Sequence, residues 1–471
     1  MELGFKEKLS YGLGAIGKDM VYMLSASYVL YYFQDVLGVN AIAMGIILMV
    51  ARIFDAFNDP IMGIIVAKTK TKWGKFRPWL MIGTLTNAVI LFLMFACPPS
   101  LDAKGLVAYA AVTYILWGVT YTMMDIPYWS MIPAFTKTGK EREGLTTLAR
   151  SCAGVGSALV TIFTVMIVNA IGKGIAGADA TAKQVEIAGF KWFALLVAVL
   201  FIVFITITCI NIKEKATVDM ESPSVAQMFK ALISNDQAMT IVIAIVLINS
   251  SVYITSNLVI YFFKYDFGGE GWKGSYTLFN MFGGAIQILS MMLFYPLLRK
   301  FASNIKVFYI CLASAIIGYT VLFAITFTNM SNVFILFIPA FFIFAANGVL
   351  QVLTTVFLAN TVDYGDLKNN RRDESVIFSM QTFVVKLASG VAALIASICL
   401  SLNNLNDSAG DEAEQLYDFS KDVAASSKLG LRMTMTIIPV VGLIVAIIVF
   451  RKKFILTDKK MEEITKEIAA R

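Results

Sequence analysis

The stretch AIAMGIILMVARIFDAFNDPIMGIIV, residues 41–66, has the length and apolar content of a membrane span, yet its middle carries Arg52, Asp55 and Asp59. A spanning helix needs about 20 mostly apolar residues, and a charge placed in hydrocarbon costs at least ~2.5 kcal/mol. A chain retains three such charges when they face other helices instead of lipid. The stretch therefore reads as one helix inside a larger bundle.

The rest of the chain supplies that bundle. Of 471 residues 58% are hydrophobic and 15% charged, and the mean hydropathy is +0.74. Reading for apolar runs predicts twelve spans, at 14–37, 41–66, 79–98, 106–131, 147–171, 191–212, 238–264, 274–298, 305–327, 332–360, 376–402 and 431–451. The first run lacks the layout of a cleaved signal peptide and is expected to remain as a helix. The fold class expected is all-α, a polytopic membrane protein with lipid as its solvent.

Basic residues alternate from loop to loop. Lys68, Lys70, Lys72, Lys75 and Arg77 follow the second span, Lys137, Lys140 and Arg142 the fourth, and Lys213 and Lys215 the sixth. Arg299, Lys300 and Lys306 follow the eighth, whereas 406–422 is rich in acid. By the positive-inside rule the even-numbered loops and both termini are cytoplasmic. The net charge of +7 is thus a topology signal, and no nucleic-acid partner is expected. The polar connection at 213–236 divides the chain into six-helix bundles at 1–212 and 237–451, with a charged tail at 452–471. This is the layout of a transporter with its site near the membrane midplane.

Five cysteines lie singly in apolar runs and histidine is absent, so neither a disulfide framework nor a zinc site is suggested. Ion chemistry must then run on carboxylates, hydroxyls and amines. In the second span Asp55 and Asp59 are four apart and share a face, with Asn58 beside it. Two carboxylates, an amide oxygen and a hydroxyl from elsewhere suit a hard monovalent cation, sodium before a proton; a structural Arg52–Asp55 ion pair is the alternative. In the fourth span Tyr121, Asp125 and Trp129 recur every four residues, with Thr122 near them. A carboxylate that accepts hydroxyl protons beside a ring that can stack on an apolar sugar face suits a carbohydrate. Lys18 and Asp19, Arg150 and Lys386 are further intramembrane charges; Lys18, Arg150 and Lys386 can balance Asp19, Asp55, Asp59 and Asp125, so that a cation or proton closes the charge count.

YGLGAIGKD (11–19), VARIFDAFNDPIMG (50–63), KWGKFRPWLMIGTLTN (72–87), TYILWGVTYTMMDIPYWS (113–130) and TVDYGDLKNNRRDESVIFSMQTFVVK (361–386) together resemble the melibiose permease branch of the glycoside–pentoside–hexuronide:cation symporters, within the major facilitator superfamily. The resemblance is collinear over nearly the whole chain. It implies twelve helices in two six-helix bundles, and sodium, lithium or proton binding at Asp55, Asn58, Asp59 and Thr122. It also implies a galactosyl-binding site of Lys18, Asp19, Asp125, Trp129 and Arg150, with Tyr121, Thr382 and Lys386 as further lining. Asp363, Arg371 and Arg372 are implied in cytoplasmic closure. The chain departs from the pattern at Asn360, where the family has an aspartate. The expected function is cation-coupled import of a galactoside such as melibiose across a bacterial inner membrane by a monomer without cofactors. Another glycoside, a pentoside or a hexuronide, proton-driven, is the alternative, and a polyspecific exporter a more distant one. An enzyme is not expected, since no G-x-S-x-G nucleophile turn is present.

Overall fold

A computed structural model describes residues 4–132, 139–177, 179–213, 225–269, 271–328, 330, 332–369, 374–405 and 418–469. They form α1 (Phe5–Tyr31), α2 (Ala41–Lys68), α3 (Arg77–Phe95), α4 (Ala103–Ser130), α5 (Gly139–Ala176), α6 (Ala182–Asn211), the short α7 (Val225–Ser234), α8 (Asp236–Phe262), α9 (Trp272–Leu289), the short α10 (Tyr295–Arg299), α11 (Asn304–Ile325), α12 (Phe337–Asn369), α13 (Glu374–Leu402), α14 (Ala425–Lys453) and α15 (Asp458–Ala469). Twelve of these have 18 residues or more. Among the described residues eleven segments are long and apolar enough to cross a membrane. The remaining long helix is α1, whose apolar character is diluted by Lys6, Glu7, Lys8, Lys18 and Asp19. Arg371 and Arg372 lie outside the described residues.

Several helices begin earlier than their apolar runs. α1 starts at Phe5 instead of 14, with Glu7 accepting the Gly4 N–H at 2.9 Å. α6 starts at Ala182 instead of 191, where Thr181 and Gln184 form a reciprocal capping box. Hydropathy marks the hydrocarbon thickness, whereas caps mark where the backbone stops needing partners.

The helices sort into two compact units, one carrying α1–α6 and the other α7–α15. In the first, α1 packs against α5 and α6. A Cβ at Gly17 would lie 3.3 Å from Phe201 Cα, and one at Gly156 would overlap the carbonyl of Ile16. Small residues let the backbones approach this closely, as membrane helices require. α1 is fixed to α4 by two tyrosines. Tyr11 and Tyr128 stack with centroids 4.4 Å apart; each hydroxyl donates to the other's backbone carbonyl.

In the second unit α8 packs against α13 and α14. Its start is tied to α12: Asn235 Nδ2 donates to the Thr361 carbonyl at 2.8 Å, and Lys368 pairs with Asp236 at 2.6 Å. The tail helix α15 is anchored by Arg299 to Asp458 at 3.0 Å and by the buried Ile464. Both α1 and α8 end in a π-helical turn, Tyr32–Val36 and Phe263–Phe267, with a buried aspartate at the fourth place, Asp35 and Asp266. Asp266 receives both Nε (2.7 Å) and Nη2 (2.6 Å) of Arg432 from α14. Over the same end, Asp418 accepts from the Gly269 N–H at 2.8 Å and the Ser420 hydroxyl at 2.7 Å. The loop before α14 is thereby strapped onto α8.

Candidate functional site

The first unit holds two polar clusters on adjacent stripes of α4, one facing α1 and the other α2. Residues four apart on α4 form parallel stripes: Tyr121, Asp125 and Trp129 meet α1, while Gly118 and Thr122 meet α2.

Lys18 is the hub on the α1 side. Its Nζ lies 2.8 Å from Asp19 Oδ1 and 2.8 Å from Asp125 Oδ1, and it donates to the Tyr121 hydroxyl at 3.2 Å. Ser157 donates to Asp19 Oδ2 at 3.3 Å, and Trp129 Nε1 to Asp125 Oδ1 at 3.1 Å. The lysine side chain is 4% exposed, but the two carboxylates are 21% and 26% exposed. A buried ammonium thus holds two carboxylates whose outer faces stay open to a ligand's hydroxyls. The Arg150 guanidinium stacks on the Trp129 ring at 4.1 Å. Since Arg150 is exposed, a ligand ring can displace it from that face.

On the α2 side Thr122 donates to Asp59 Oδ1 at 2.9 Å. One turn earlier Asp55 packs against Gly118, where a Cβ would overlap its Oδ1. Arg52 approaches Asp55 Oδ2 at 3.4 Å, a long contact for a buried pair. Asn58 Nδ2 is buried without a hydrogen-bond partner. Because amide nitrogen and oxygen exchange places on a flip, this position can present an oxygen. Asp55, Asn58, Asp59 and Thr122 thus offer the mixed oxygen set a monovalent cation takes. No group of three His, Cys, Asp or Glu able to hold a metal occurs among the described residues.

Asp19 and Asp125 share the Lys18 ammonium, Asp55 lies by Arg52, and Arg150 covers Trp129, so the two clusters bring four carboxyl groups together with three basic side chains. Thr382 and Lys386 belong to the second unit, four apart on α13, the first exposed and the second partly so. Asp363 and Asn360 are partly exposed on α12. Sequence reasoning missed Gly118 and Ser157; the four-residue spacing of Gly118 to Thr122 could have pointed to the first, and nothing in the sequence to the second.

The helical bundle has the major facilitator fold, and its family makes the chain a membrane transporter and not an enzyme. The chain belongs to the MFS/sugar transport protein family, whose profile matches residues 10–457. It is 27% identical over 475 residues to the uncharacterized symporter YjmB of Bacillus subtilis (strain 168), covering 99% of this chain and 95% of that one. It is 28% identical to the raffinose carrier protein of Pediococcus pentosaceus, covering 98% and 71%. The crystal structure of a bacterial homolog of the human lysosomal transporter Spinster superposes with a TM-score of 0.68 at 12% identity, over 98% of this chain and 97% of that one, a likeness of fold alone.

Proposed function

We propose that the chain is a cation:sugar symporter that imports a galactoside such as melibiose, driven by sodium, by alternating access. The carrying observation is the placing of two chemically different carboxylate clusters on adjacent stripes of α4. Lys18, Asp19, Asp125 and Trp129 supply acceptors and a ring for a sugar. Asp55, Asn58, Asp59 and Thr122 supply oxygens for the cation, with lithium or a proton as substitutes. The family supports a sugar as cargo, and raffinose, the sugar in one relative's name, carries a galactosyl ring. The same reading makes it a monomer in a bacterial inner membrane, with Thr382 and Lys386 as candidate sugar-binding residues of the second unit and Asp363, Arg371 and Arg372 as candidates for cytoplasmic closure.

The mechanism follows from charge. Cation entry between Asp55 and Asp59 removes negative charge from the interior, and the sugar then draws Asp19 and Asp125 partly away from Lys18. Linkage requires each ligand to raise the other's affinity by the same factor, typically ~5- to 150-fold. Titration of melibiose into purified protein with and without sodium, with lithium, and at several pH values tests this. A cation-dependent affinity is expected, and Asp125→Ala is expected to weaken it at least ~10-fold, since a hydrogen bond to a charged group contributes ~1.5–3 kcal/mol. Equal affinity under every condition overturns the coupled reading.

A further inference from the structure

We propose that Tyr22 is a positioning residue that carries the linkage between the two clusters, an inference that rests on the cation-coupled reading above. Tyr22 stands one turn beyond Lys18 on α1. Its ring centroid lies 5.6 Å from that of Tyr121 and 6.3 Å from that of Trp117, and 5.7 Å from the Arg52 guanidinium carbon. One ring therefore touches both the tyrosine that accepts from Lys18 and the arginine paired with Asp55. A second route closes the circuit. Arg52 also lies 5.8 Å from the Tyr114 ring, Tyr114 stacks on Trp117 at 5.8 Å, and Trp117 stacks on Tyr121 at 5.2 Å.

The physics runs in one direction through these contacts. A cation at Asp55 competes with Arg52 for the carboxylate, whose contact with the guanidinium is already long at 3.4 Å. The guanidinium then leans on the aromatic faces of Tyr22 and Tyr114, an attraction that strengthens where water is excluded. Tyr22 drawn toward Arg52 shifts against Tyr121, and the Tyr121 hydroxyl shifts Lys18 away from Asp19 and Asp125. Those carboxylates can then accept sugar hydroxyls. Cation binding raises sugar affinity, and by reciprocity the sugar raises cation affinity. The role needs a ring at position 22 and does not need its hydroxyl.

Titrating melibiose into the purified full chain with and without sodium, for wild type, Tyr22→Leu and Tyr22→Phe, tests the assignment. The wild-type protein is expected to gain affinity on adding sodium; if it does not, the symport reading itself fails, and Tyr22 with it. Given that gain, Tyr22→Leu is expected to bind melibiose without sodium within about threefold of wild type. Its sodium-dependent gain is expected to be about fivefold smaller, the size of a lost cation–π contact. Tyr22→Phe is expected to keep the gain. The proposal is overturned if Tyr22→Leu keeps the wild-type gain, if Tyr22→Phe loses it as fully, or if the folded Leu variant loses sugar affinity equally in both conditions. Should Tyr22→Leu not fold, Tyr22→Met, equally without a ring, takes its place with the same expectations.

Discussion

At the scale of single residues, Gly118 decides where Asp55 can stand. A Cβ there would lie 3.3 Å from Asp55 Cγ and overlap Oδ1, so Gly118→Ala is expected to push one carboxylate out of the cation cluster. The sodium-dependent gain in melibiose affinity should fall about tenfold, the equivalent of ~1.4 kcal/mol, while affinity without sodium stays near wild type. Titration of the variant checks this, and an unchanged gain would remove Asp55 from the site. The aspartates were legible in the sequence because a charge in an apolar run is conspicuous. Gly118 and Tyr22 were not, because glycines and aromatic rings are ordinary in spans and only the facing helix gives them work. Nor does Trp129 in isolation reveal that Arg150 covers its ring at 4.1 Å.

At the scale of elements, the end of α8 combines a π-turn, the buried Asp266–Arg432 pair and the Asp418 strap. Burial pushes the Asp418 carboxyl up, but the hydrogen bonds from Ser420 and the Gly269 N–H outweigh it and hold the group below its usual 3.8. A lowered carboxyl contributes stability in full above its unfolded value of about 3.9 and loses it as pH falls through the lower native value. Protection of the Gly269 amide against hydrogen exchange, corrected for the intrinsic rate, is expected to be constant above about pH 5 and to fall in more acidic solution. Asp418→Asn should remove that dependence. Gly268 has φ +67°, and a Cβ on it would lie 2.7 Å from Asp418 Oδ1. With ψ −158° this backbone is one that a non-glycine residue holds at a cost of ~1–3 kcal/mol, so Gly268→Ala should lower the midpoint of thermal unfolding in detergent. Apolar runs placed the spans well, but the π-turns left no mark in them, because one extra residue per turn changes neither composition nor length.

At the scale of the whole molecule, alternation of basic loops predicts the orientation. Single cysteines replacing Lys68 and Lys300 are expected to react with an impermeant maleimide only from the cytoplasm, and ones replacing Lys104 and Lys273 only from outside. Labelling of Lys68 and Lys104 replacements from the same side would break the topology. That two bundles of helices exist was readable from the polar connection, whereas the docking of α15 through Ile464 was not, since a charged tail hides its one buried face. The crossed tyrosines Tyr11 and Tyr128 have a mechanical meaning. Sliding α1 along α4 by any fraction of a turn would shear two hydrogen bonds and a ring stack together. The pair acts as a rivet: it holds the backbones of α1 and α4 in one register, so that Lys18 and Asp125 can exchange partners by side-chain movement while the helices that carry them stay fixed to each other.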